Sequence, residues 1–345
     1  MNHEIDLSKY KIRTDLAVEA ISITHDKKGI EQNTYEDGDV HITKIRLNKE
    51  AAKQIEKKPG DYITIEFKDI SDYHNREHVK KIVTKYLKEL LEQSQIKKDD
   101  TCIIIGLGNR KSTPDALGPL VIDQVLVTNH LFVFDQPEEG FRPVSAITPG
   151  VMGETGIETS DFIHGIIQTV HPSFVIAIDA LASQAISRVN TTIQMSNTGI
   201  HPGSGVGNSR KEISKETIGI PVIAIGVPTV VDAVTVVSDT LKYLQKFYVF
   251  QKEFSKNPMR KMIANGQMNY LKKDIDILET EKKELLGILG NFNESETKSL
   301  INEVLTPIGY NLMVTPKEID FVIKNLSDVI GNSINCALHE KVNHL

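Results

Sequence analysis

Two aspartates sit where the chain leaves an apolar run. Asp179 directly follows FVIAI (Phe174 to Ile178), and Asp115 ends the loop GLGNRKSTPD, which follows Cys102 to Ile105. Strand propensity gives no reason for an acid at position 179. Asp115 stands beside a predicted helix N-terminus, where an aspartate also serves as an N-cap. The two acids are distant in sequence, but both follow strands and can converge on one sheet edge. Like charges at short range raise the pKa of one partner. One carboxyl then stays protonated as a general acid while the other, ionised, activates a water. Peptide hydrolysis needs that division of labour.

A third candidate is the loop SNTGIHPGSGVGNSRKE, Ser196 to Glu212. Its His201, Gly203, Ser204, Gly205 and Gly207 are small or polar. Glycines permit close backbone approach, and exposed N–H groups can hold a substrate backbone or a developing oxyanion. The same composition also suits a plain flexible turn. Neither GLGN nor GSGVG has the spacing of a dinucleotide fingerprint or a P-loop, which excludes NAD and ATP. His171 and His201, each beside a proline, could join Glu154, Asp161 and Asp232 at a metal. However, no H-E-x-x-H or paired-cysteine spacing supports zinc, so no metal and no cofactor is expected. There is no G-x-S-x-G elbow for a nucleophilic serine. Cys102 lies inside an apolar strand and Cys336 near the far end of the chain, so neither a disulfide framework nor a reactive thiol is expected.

The elements that must position these residues follow from periodicity. CIIIGLG, FVIAIDAL and PVIAIGVP each suggest a strand buried on both faces, and helical segments separate them. Such alternation predicts an α/β fold: a mostly parallel sheet flanked by helices, with ligands bound beyond the carboxyl ends of the strands. Strands are expected at 40–47 and 62–67. Helices are expected at 49–57, 76–93, 116–128, 159–170 and 232–247, with helical patterns near 269–289, 294–305 and 316–333 forming a C-terminal appendage. With 40 Lys+Arg against 46 Asp+Glu, the formal charge of -6 argues against nonspecific nucleic-acid binding. No stretch approaches the roughly 20 apolar residues of a membrane span, and the polar start MNHEIDLSKY lacks a secretory core, so a cytoplasmic protein is expected.

Six segments together resemble the germination protease family of spore-forming bacteria. They are IRTDLAVEA near the N-terminus, GLGN with TPDALGP at 106–119, PGVMGETGIET at 149–159, AIDALA at 177–182, HPGSGVGN at 201–208 and GVPTVVDA at 226–233. The resemblance implies an endopeptidase that degrades small acid-soluble spore proteins at germination. It also implies an atypical aspartic peptidase, with Asp115 in TPDALGP and Asp179 in AIDALA as the catalytic pair and a fold like that of the hydrogenase-maturation proteases. That relation keeps a metal-dependent peptidase as an alternative; a noncatalytic protein-binding module is a second one. Zymogen processing is implied as well, by self-cleavage between Asp15 and Leu16, with Arg110, Lys111 or Arg210 as the candidate cation facing the acid. The implied organisation is a propeptide over 1–15, an α/β peptidase domain over 16–250 and a helical extension over 251–345. A homotetramer in the cytoplasm of the spore core is expected, with no direct nucleic-acid or membrane partner.

Overall fold

The computed structural model describes residues 14–24, 27–134, 139–202, 211–256, 277–305 and 312–344. Gly203, Ser204, Gly205, Gly207 and Arg210 lie outside them, as does most of the expected propeptide. The described residues fall into two compact units, one within Arg13–Val231 and Thr315–Leu345, the other within Asp232–Val314.

In chain order the first unit contains helix α1 (Ala17–Ile23), strands β1 (Ile30–Asp37) and β2 (Val40–Leu47), α2 (Lys49–Gln54), β3 (Gly60–Glu66), α3 (Tyr73–Gln93), β4 (Cys102–Gly106), α4 (Leu117–Ile122), α5 (Asn129–Phe134) and β5 (Val144–Ile147). It continues through α6 (Met152–Thr155), α7 (Thr159–Val170), β6 (Phe174–Ser183), β7 (Thr192–Ser196), α8 (Lys215–Ile218) and β8 (Val222–Asp232). The second unit is built from helices α9 (Ala233–Lys256), α10 (Glu279–Leu286) and α11 (Glu294–Leu305). The chain then re-enters the first unit as α12 (Ile319–Leu338). The expected boundary at 250/251 therefore falls inside α9.

The strands of the first unit lie in the order β1-β2-β3-β7-β8-β6-β4-β5. The sheet is flanked by helices, as expected for an α/β protein. Its parallel part is β8-β6-β4-β5, in which β8, β6 and β4 are formed by continuous apolar runs buried on both faces, while β5 is a short, partly buried edge strand. Beyond it an antiparallel arm, β1-β2-β3-β7, is joined to β8. Short alternating strands such as TIQMS at 192–196 form part of this arm, and they lack the apolar runs that mark the parallel strands.

On one face of the sheet, α3 buries Val79, Ile82, Val83, Tyr86, Leu87, Leu90 and Leu91. This spacing of three and four makes one helical stripe, and the Asp72 carboxylate caps the helix by accepting the Asn75 N–H at 2.9 Å. That stripe joins α4, α12 and the inward residues of the strands in the largest core cluster. The opposite face carries two separate clusters. One is built from α1, α2, Ile45, Leu47 and Tyr62. The other is built from Ile163 and Ile167 of α7 against Ile103, Ile105, Val175 and Ala177.

The helix expected at 116–128 stops at Ile122. Tertiary bonds claim the residues after it: the Leu126 N–H donates to the Asn335 side chain (2.8 Å) and Thr128 Oγ1 to the Arg142 carbonyl (2.5 Å).

Candidate active site

β4 and β6 are adjacent and parallel, with Gly106 opposite Ile178, so the loop after β4 begins beside the position of Asp179. The Leu107 N–H continues the ladder by donating to the Ile178 carbonyl at 2.8 Å. Asp179 is 5% exposed, and its carboxylate accepts the Ala180 N–H at 3.0 Å. Asp115 ends a single 3-10 turn, Thr113–Asp115, ahead of α4. Its carboxylate and its backbone carbonyl both accept the Asn109 N–H, each at 2.9 Å. The strand-end loop and the 3-10 turn are thereby held together. Thr229 Oγ1 of β8 donates to the Pro114 carbonyl at 2.6 Å and ties the same turn to the sheet. Asp115 therefore stands beyond the carboxyl end of β4, where open α/β sheets bind ligands, whereas Asp179 lies just past the level of that end but inside β6, whose strand does not stop at Ile178 and runs on to Ser183.

The sheet register adds a residue that the sequence did not single out. Gly226 of β8 is opposite Asp179 on one side and opposite Gln194 of β7 on the other, and Gln194 in turn is opposite Thr64. Residues in one such row share a face, here the face that carries the two separate clusters. At about 4.8 Å per strand, Asp179 and Gln194 stand about 10 Å apart along that row, with only the glycine between them. Ala224, next on this face of β8, is also small. The leucine side chain of Leu181 lies over Gly226, where an added Cβ would come within 2.5 Å of it.

Against Gln194 and Ala182 of β6 lies the segment expected to be cut. Leu16 is fully buried, and Ala17, Ala20 and Ile21 of α1 anchor the chain after it. The Asp15 N–H donates to the Ala182 carbonyl at 3.3 Å, and the Asp15 carboxylate accepts the Ala182 N–H at 2.9 Å. Gln194 grips the backbone on both sides of the Asp15–Leu16 bond. Its Nε2 donates to the Asp15 carbonyl at 3.1 Å, and its Oε1 accepts the Ala17 N–H at 2.7 Å. Lys57 Nζ donates to the Thr14 carbonyl at 2.7 Å. Burial pushes this lysine below its ordinary pKa, while the charges of Asp15 and Glu19 pull it back up.

Behind the segment, Glu19 is 3% exposed. It accepts hydrogen bonds from Thr14 Oγ1, Ser183 Oγ, the Gln184 N–H and Arg188 Nη1.

Of the cations named from sequence, Arg210 lies outside the described residues and the other two are engaged elsewhere. Arg110 makes a two-pronged pair with Asp123, which holds that carboxylate below its usual range, and Lys111 pairs with Glu154. Lys57 is the cation beside Asp15. It was missed because the turn after α2, which carries Lys57, and the 14–16 segment meet only through tertiary packing. Asp161 pairs with Lys211. His171 ends α7 in the left-handed region, at φ 50°, and His201 is exposed. Among the described residues, no three His, Cys, Asp or Glu are grouped so as to hold a metal. Among the same residues, no helix is long and apolar enough to cross a membrane.

The family model for germination proteases matches residues 11–345. A germination protease from Geobacillus sp. (strain WCH70) is 48% identical over 363 residues, covering 99% of this chain and 97% of that protein. One from Bacillus cereus (strain G9842) is 49% identical over 358 residues, with the same coverage. Among solved structures, the [NiFe] hydrogenase maturation protease HycI from Thermococcus kodakarensis KOD1 matches 41% of this chain and 80% of its own at 18% identity. Its TM-score is 0.28, too small to define a shared fold. The chain thus belongs to the germination protease family, and it is a peptidase.

Proposed function

We propose that this chain is the endopeptidase that begins the degradation of small acid-soluble spore proteins at germination. In this reading it is made as a zymogen and cuts itself between Asp15 and Leu16. Hydrolysis is water-mediated. One carboxylate of the Asp115 and Asp179 pair takes a proton as the water oxygen bonds to the scissile carbon. The other carboxyl, protonated, donates to the departing nitrogen as the C–N bond breaks. The observation that carries this reading is the adjacency of β4 and β6: β4 ends at Gly106, opposite Ile178, so Asp179 within β6 lies level with the start of the loop that carries Asp115.

The substrate preference follows from the segment 14–17. An acid held by a backbone N–H and a lysine, then a buried apolar residue, then alanine is the pattern a substrate must copy. The Gly203–Gly207 stretch, with Ser204 and His201, is the further candidate for holding substrate. Homotetrameric assembly and action in the cytoplasm of the spore core complete the proposal. The test is conversion of the full-length chain to one beginning at Leu16, followed by mass spectrometry. Asp179→Asn and Asp115→Asn should each stay full-length while wild type is converted, and conversion of either variant at the wild-type rate would remove the aspartate mechanism.

A further inference from the structure

We infer that Gln194 is a catalytic residue of the self-cleavage step, the donor that receives the oxyanion formed on Asp15. This rests on the reading that the cut falls between Asp15 and Leu16. The scissile carbonyl oxygen is then the oxygen that Gln194 Nε2 already holds at 3.1 Å. A donor at 2.7–3.1 Å from the position where negative charge develops is the geometry of an oxyanion hole. The other end of the same carboxamide accepts the Ala17 N–H at 2.7 Å, which fixes the amide so that Nε2, not Oε1, meets the carbonyl. Gln194 is 8% exposed, so the charge would be met in a largely desolvated site.

The register supports the assignment independently. Gln194 and Asp179 share one face of one row, on either side of Gly226, over which the Leu181 side chain lies. Asp15 is bonded to Gln194 of β7 and to Ala182 of β6, so it bridges the two strands that flank β8. The scissile group is therefore held between Gln194 and the part of β6 three residues beyond Asp179. In the step itself, water oxygen adds to the Asp15 carbonyl carbon while one of its protons passes to the base carboxylate of the aspartate pair, and the carbonyl electron pair moves onto the oxygen facing Nε2. Collapse of that adduct expels the Leu16 nitrogen, which takes a proton from the acid partner. Gln194 exchanges no proton; its contribution is a hydrogen bond that strengthens as charge develops.

The test compares wild type, Gln194→Ala and Gln194→Glu as full-length chains, following formation of the Leu16 N-terminus by mass spectrometry across pH. Near-ultraviolet circular dichroism checks that each is folded. Gln194→Ala should slow conversion on the order of a hundredfold, the usual loss for one such donor. Gln194→Glu keeps the shape but offers an ionised acceptor at neutral pH. It should be as slow there, and it should recover relative to wild type in acid as its carboxyl regains a donor hydrogen. A role in packing alone, without a donor to the Asp15 carbonyl, would give no such recovery. Wild-type conversion with both variants equally fast would overturn the Gln194 assignment alone. Failure of wild type to release residues 1–15 under any condition would overturn the cut-site reading, and this inference with it.

Discussion

Gly108 lies directly against Asp115: a Cβ built on the glycine would stand 2.0 Å from the Asp115 carbonyl oxygen and 3.1 Å from its carboxylate. The glycine also has φ +109°, a conformation that side chains rarely adopt. The loop after β4 can thus hold Asp115 only while position 108 has no side chain. Gly108→Ala should leave the sheet folded, because β4 ends at Gly106, but should move the 3-10 turn and reduce peptide cleavage at least tenfold. Circular dichroism alongside a cleavage assay checks this; full activity would show that Asp115 does not depend on the loop.

Glu19 accepts four hydrogen bonds in a nearly closed site, one of them from Arg188, which is itself partly exposed. Glu19→Ala removes the shared acceptor, although Ser183 Oγ keeps the Ala185 carbonyl and Arg188 keeps Glu66, and should cost about 2–3 kcal/mol. Urea unfolding of wild type and variant measures it. A change below 0.5 kcal/mol, the scale of about one ordinary surface substitution, would mean that water replaces the carboxylate.

His339 is buried at the end of α12, with Nδ1 accepting the Arg142 N–H at 3.2 Å, and burial pushes its imidazole below the ordinary value of 6.5. The folded state therefore favours the neutral ring. As pH falls through 6.5 the unfolded chain takes up a proton that the folded chain refuses, so stability present above that pH is lost below it. Thermal melts between pH 7.5 and 5.5 should show a smaller acid loss for His339→Gln than for wild type; parallel curves would contradict the assignment.

Cys102 is buried within β4, and burial pushes its thiol far above the ordinary range. A thiol held protonated is neither nucleophilic nor easily alkylated. Iodoacetamide should leave Cys102 unmodified in the folded protein and leave peptide cleavage intact. Alkylation there without unfolding would show an opening of β4 that the sheet does not suggest.

The parallel strands were legible because continuous apolar runs announce them, but the end of the run at Ile178 does not mark the end of the strand: β6 continues through Asp179 to Ser183. Gln194 was not legible, since a glutamine alternating with Ile193 and Met195 looks like the solvent side of a short strand. Its role depends on β7 pairing antiparallel with β8, a long-range register that no local pattern carries. Lys57 was hidden for the same reason: its carbonyl partner, Thr14, belongs to a segment brought to it by tertiary folding. The return of α12 to the α/β unit was equally invisible, because its apolar stripe identifies a helix but not the surface it covers.

The most direct measurement is the mass of the N-terminus after incubating the full-length wild type, Asp179→Asn and Asp115→Asn side by side. The account predicts a chain beginning at Leu16 in wild type and an intact chain in both variants. Release of residues 1–15 by either aspartate variant at the wild-type rate would contradict it.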